Sequence, residues 1–99
     1  MTAVAINQDQ EIASIIRSQI KVPVFWSIGA RPATFAYIKN GFTFIAKPRH
    51  RIVRINITLN ALDYYDIEVI RKTDGKVEKT LSNIPVDILN STLLGLEEN

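Results

Sequence analysis

Ile12, Ile15, Ile16 and Ile20 recur at spacings of three and four near the start of the chain, with Glu11, Ser14, Arg17 and Ser18 between them. That period lines up one apolar stripe and predicts an amphipathic helix over residues 8–20. Asn7 or Asp9 can cap it by accepting a bond from an unpaired amide. Val22-Pro23 ends it, because the residue before a proline is pushed out of the helical region.

The period then changes to two. Residues 24–28 read as a short apolar strand that places Trp26 in the core beside Val24 and Ile28, and Gly29-Ala30-Arg31-Pro32 breaks it. Strands over 35–39 and 42–47 flank Asn40-Gly41, a pair suited to a type I′ turn. That turn sets Lys39 opposite Phe42, Tyr37 opposite Phe44 and Phe35 opposite Ala46, an aromatic ladder on one face.

A polar connection, Lys47-Pro48-Arg49-His50-Arg51, leads into the clearest strand, 52–59. Val53, Ile55, Ile57 and Leu59 point one way; Ile52, Arg54, Asn56 and Thr58 point the other. The next strand, 65–72, repeats the alternation with Tyr65, Ile67 and Val69. A five-residue loop over 60–64 sets Leu59, Ile57 and Ile55 against them, whereas a four-residue loop would set Ile57 against Asp66.

Thr73-Asp74-Gly75-Lys76 turns the chain into a strand over 77–81, as a two-residue turn or as a bulged three-residue loop. The bulged version puts Val77 and Leu81 on the core face. A last helix over 84–94 has Asn83 as N-cap, Pro85 in its first turn and Gly95 as terminator, with Val86, Leu89 and Leu93 as its stripe, widened by Ile88. Glu97-Glu98-Asn99 is expected to fray. The elements predict one α+β domain over residues 1–99: an N-terminal helix, an antiparallel sheet of about five strands and a C-terminal helix, the helices packed on one face.

Composition supports a packed core, with 46% hydrophobic residues in 99. The chain has no cysteine, which excludes disulfides and thiolate metal sites. No stretch reaches the roughly 20 apolar residues of a membrane span, and the N-terminus lacks a basic segment followed by a long apolar one. The expectation is a cytoplasmic protein outside the membrane.

Charge changes the picture more than composition does. Asp9 and Glu11 stand alone in the first eleven residues. Arg17, Lys21, Arg31, Lys39, Lys47, Arg49, Arg51 and Arg54 then follow with no acid before Asp63, and from there on eight acids face Arg71, Lys72, Lys76 and Lys79. A basic middle and an acidic C-terminal part orient a charged partner at encounter.

Two clusters are candidates for function. Lys47, Arg49, His50, Arg51 and Arg54 can neutralise phosphates of a nucleic acid, with Tyr37, Phe42 and Phe44 as stacking surfaces if they face outward. The alternative is a solvated loop beside core aromatics, with Arg54 diagonally near Glu68. Asp63, Asp66 and Glu68 can approach a cation, or can form a solvated strand face with Asp63 bonded to its own turn. Trp26 and Tyr64-Tyr65 are candidate interface anchors; alternation reads Trp26 as core, and Tyr64, out of phase with the buried face, is the better surface candidate, with Asp66 and Glu68 beside it. His50 is the only histidine, and no nucleophile motif accompanies it.

From Trp26 onward, Gly29-Ala30, Asn40-Gly41, Ile57-Thr58-Leu59-Asn60-Ala61-Leu62-Asp63 and Tyr65-Asp66-Ile67-Glu68 set the pattern, followed by Val86-Asp87-Ile88-Leu89 and Gly95-Leu96. This pattern resembles a family of small bacteriophage- and prophage-encoded proteins of uncharacterised function. The resemblance implies a phage or prophage origin and brings no mechanism with it; the basic segment 47–54 lies outside the pattern. The resulting expectation is a non-enzymatic accessory protein, without cofactor or metal, that binds a host or phage protein, a host-defence component among the candidates. The alternative is nucleic-acid binding through 47–54. Open sheet edges also allow a homodimer.

Overall fold

Five antiparallel strands lie side by side in chain order: β1 (Ala36–Ile38), β2 (Gly41–Ala46), β3 (Val53–Leu59), β4 (Tyr65–Arg71) and β5 (Val77–Ile84). In this computed structural model, which describes residues 8–98, the helices are α1 (Gln8–Gln19), α2 (Val22–Ser27) and α3 (Leu89–Leu94). Short 3-10 turns occupy Pro32–Thr34, Pro48–His50, Val86–Ile88 and Gly95–Glu98. Among the described residues no helix is long and apolar enough to cross a membrane.

The architecture is the predicted α+β one. One buried cluster joins Ile16 and Ile20 of α1, Phe25 of α2 and Leu89 and Leu93 of α3 to Phe44, Ile55, Ile57, Ile67 and Val69 of the sheet. The sheet residues all share one phase of the strand alternation, so the helices cover a single face. β3 and β4 pair as Ile55 with Val69, Ile57 with Ile67 and Leu59 with Tyr65, the register that the five-residue loop demands.

α1 begins near the predicted point, with Asp9 inside its first turn rather than ahead of it. Its carboxylate accepts the Asn40 N–H at 2.8 Å, fastening the helix start to the first hairpin. Asn7, the other cap candidate, lies outside the described residues. The buried stripe runs through Ala13, Ile16 and Ile20 with Ile12 partly covered, while Ile15 is exposed.

Several expectations are corrected. Residues 24–28 belong to helix α2 and its C-cap rather than to a strand. Pro23 sits in the first turn of that helix, where its missing N–H costs nothing, and Val24, Phe25 and Ile28 turn inward with helical spacing. Trp26 consequently points out of the core and is 82% exposed.

The first hairpin turns at Lys39-Asn40, not at Asn40-Gly41. Ile38 pairs with Gly41, Tyr37 with Phe42 and Ala36 with Thr43. Asn40 carries the positive φ of 57°, and Gly41 lies inside β2 opposite Thr58. The predicted ladder is replaced by a cluster in which the Phe25, Phe35, Phe42 and Phe44 rings meet, with Phe42 and Phe44 fully buried.

The turn between β4 and β5 is closed by Arg71 and Lys76, with four residues, 72–75, between them. The Arg71 N–H donates to the Lys76 carbonyl and the Gly75 N–H to the Arg71 carbonyl, both at 2.8 Å. Pairing then slips between Val69 and Ile70, leaving Glu78 as the extra residue. Leu81 still packs against the core, but Val77 lies on the other side of the slip and is exposed.

β5 continues to Ile84, so Asn83 is a strand residue with φ 57° and not a helix cap. Pro85 precedes a 3-10 turn, and α3 starts only at Leu89. Leu89, Leu93 and Leu96 form the buried stripe; Val86 and Ile88 are exposed. Gly95 ends α3 as its C-cap, as expected, in the right-handed region at φ −60°, and leads into the 3-10 turn Gly95–Glu98. Of the predicted frayed tail, Glu97 and Glu98 form the end of that turn, and Asn99 lies outside the described residues.

Candidate partner-binding face

The α1–α2 junction is held by a side chain from the far end of the chain. Asn90 Nδ2 donates to the Gln19 carbonyl at 2.9 Å, and Asn90 Oδ1 accepts the Lys21 N–H at 2.8 Å. The last carbonyl of one helix and the cap amide of the next are thus satisfied by one amide. Tyr65, on β4, adds a second tie: its hydroxyl donates to Gln19 Oε1 at 2.5 Å. Burial of the phenol raises the Tyr65 pKa.

Fixed in this way, α1 and α2 border a groove of about 530 Å³. Ile20, Phe25 and Phe35 lie at its base, and Arg17, Val22 and Trp26 line it as well. The Arg17 guanidinium carbon sits 4.9 Å from the centre of the Phe35 ring, a cation-π arrangement. Val22 and Trp26, at 64% and 82% exposure, leave large apolar surface in water at this groove. Among the described residues no acid lines it. The chemistry it offers is apolar contact, one anchoring indole and a fixed cation.

The basic segment is divided by the fold. Arg51 Nε donates to Glu78 Oε1 at 2.7 Å, and Arg71 Nε approaches the other Glu78 oxygen at 3.9 Å. Arg51 also donates to the Pro48 carbonyl. Arg54 lies on the open face of the sheet, where Nη1 donates to Thr43 Oγ1 at 3.2 Å. Lys47, Arg49 and His50 are exposed at the Pro48–His50 turn, where Arg49 and His50 both adopt positive φ. Phe42 and Phe44 are core and offer no stacking surface; Tyr37 is half-exposed.

Arg54 and Glu68 do not form an ion pair. The register places Asn56 opposite Glu68, and Asn56 Nδ2 donates to Glu68 Oε1 at 3.4 Å, while Thr43 Oγ1 donates to Asn56 Oδ1 at 2.6 Å. Arg54, Thr43, Asn56 and Glu68 therefore form a row of hydrogen bonds across three strands, which satisfies the buried Thr43 hydroxyl.

The acidic cluster is also taken apart. Asp66 Oδ1 accepts from Asn60 Nδ2 at 3.0 Å and from the Asn83 N–H at 3.1 Å. Asn60 Oδ1 in turn accepts the Leu62 and Tyr64 amides and shapes the 60–64 loop. Asp63 has φ 64° within that loop. Among the described residues, no three His, Cys, Asp or Glu side chains gather as a metal would need. Tyr64 is 42% exposed beside this network, and Asp66 serves to fasten the loop to β5.

Sequence reasoning put Tyr64 at the surface and Trp26 in the core; the groove at Trp26 is the site it missed. The signal was present in Val22-Pro23, which fits the first turn of a helix as well as the end of one. No protein-family model matches the chain, and comparison with curated proteins and with solved structures likewise returns no match.

Proposed function

We propose that this protein is a non-enzymatic accessory protein of phage or prophage origin that works in the host cytoplasm by holding a host protein on the α1–α2 face. The observation that carries the reading is the 82% exposure of Trp26 at an apolar groove. Tryptophan is the side chain most often found at the energetic centre of protein interfaces, and an exposed apolar patch marks such surfaces. The nucleic-acid reading draws less support, since Arg51 is engaged with Glu78 and Arg54 with Thr43.

Affinity capture from bacterial host lysate tests the proposal, with wild type and Trp26→Ser immobilised side by side. The expected result is a host protein retained by wild type and lost from the variant at an unchanged melting temperature. Equal retention by both, or none by wild type, defeats it.

A further inference from the structure

We infer that the α1–α2 groove takes an acidic protein segment carrying an aliphatic or aromatic anchor. The inference deepens the proposed function and rests on its binding face. Arg17 lines the groove with its guanidinium held over Phe35. Lys21 lies between the lining residues Ile20 and Val22, and Arg31 between Ala30 and Pro32; both cations are exposed.

Among the described residues no acid lines the groove, and none stands in the sequence between Glu11 and Asp63. One cation fixed over an apolar base, with the exposed Lys21 and Arg31 next to lining residues in the chain, complements an anionic partner and repels a basic one, which sets both encounter rate and partner choice. A segment with an apolar residue seated against Phe25, Phe35 and Trp26 and a carboxylate toward Arg17 satisfies both features.

The form of the groove favours a polypeptide over a small molecule. Small-ligand sites enclose most of the ligand surface, whereas Trp26 and Val22 stand largely in solvent here. A macromolecular segment lying across the groove covers them; a ligand confined to its base does not.

A random dodecapeptide library is selected on wild-type protein and counter-selected on Trp26→Ser, and the survivors are titrated against wild type while the emission of Trp26, the sole tryptophan, is followed. The expected survivors are rich in Asp and Glu around an apolar anchor and shift that emission. Their affinity should fall about tenfold on Lys21→Glu/Arg31→Glu, a pair of changes at exposed positions next to lining residues in the chain that leaves the melting temperature in place. Trp26-dependent peptides that are neutral or basic, or that ignore the charge reversal, overturn the acidic-partner inference and leave the binding face standing. A selection that yields no Trp26-dependent peptide sinks both. Competition by a single-stranded oligothymidylate would identify a nucleic acid as occupant, and a concentration-dependent Trp26 shift with a doubled mass in light scattering would identify a second copy; either result overturns the inference.

Discussion

Gly41 packs against the carbonyl of Ile57 so closely that a β-carbon on Gly41 would stand 2.1 Å from that oxygen. It would also meet the Thr58 α-carbon at 2.9 Å. The glycine is there for strand contact, and Asn40 supplies the left-handed residue of the turn. Gly41→Ala is therefore expected to destabilise the fold by about 3 kcal/mol or more, since backbone on the far side has nowhere to go. Chemical denaturation of the variant checks this; a cost near zero would mean that β2 and β3 do not approach in this register.

Asn90 joins the two ends of the chain through its bonds to Gln19 and Lys21. Asn90→Ala leaves a helix-end carbonyl and an amide unpaired, at a cost of about 1–3 kcal/mol. The same junction shapes the groove, so the variant should also weaken partner capture, which a denaturation curve and a capture assay read separately.

Much of the sheet was legible because β3 and β4 alternate without interruption. Leu59, Ile57 and Ile55 could meet Tyr65, Ile67 and Val69 in only one register with the oily side in common. α1 was legible for the same reason at a different period. Residues 24–28 were not: four apolar positions and Ser27 fit a strand or a helical turn equally well, and Pro23 is compatible with both. That ambiguity hid Trp26, which alternation sends inward and helical spacing sends out. Asn40 and Asn83 escaped because asparagine tolerates positive φ, so neither the turn position nor the end of β5 is set by local chemistry. The basic and acidic clusters were visible as composition, but Glu78, Thr43 and Asn83 divide them, and those partners are brought in by strand pairing.

Tyr65 links stability to alkaline pH. Its pKa is raised in the fold by burial, so above about 10, the ordinary tyrosine value, the unfolded chain ionises while the folded one stays neutral. The contribution of Tyr65 is thus fully present below that pH and is lost as pH climbs toward the raised value. Tyr65→Phe should cost about 1 kcal/mol at neutral pH through the lost bond to Gln19, and should flatten the alkaline decline. Melting temperatures of both proteins across alkaline pH decide it.

The Arg51–Glu78 pair is partly exposed, with side chains at 28% and 23%. Glu78→Gln should therefore cost no more than about 1 kcal/mol. It also removes the acid that engages Arg51, so if the segment 47–54 has any affinity for nucleic acid, this variant should bind an oligonucleotide more tightly and with steeper salt dependence than wild type. Arg49→Glu/Arg51→Glu should leave protein capture by the α1–α2 face intact.

The most direct measurement is the emission of Trp26, the single indole, recorded before and after saturation with the captured partner. Emission moving from that of a solvated indole toward that of a buried one, with loss of acrylamide quenching, is the predicted result. A Trp26 spectrum and quenching unchanged in the saturated complex would contradict the assignment of this face.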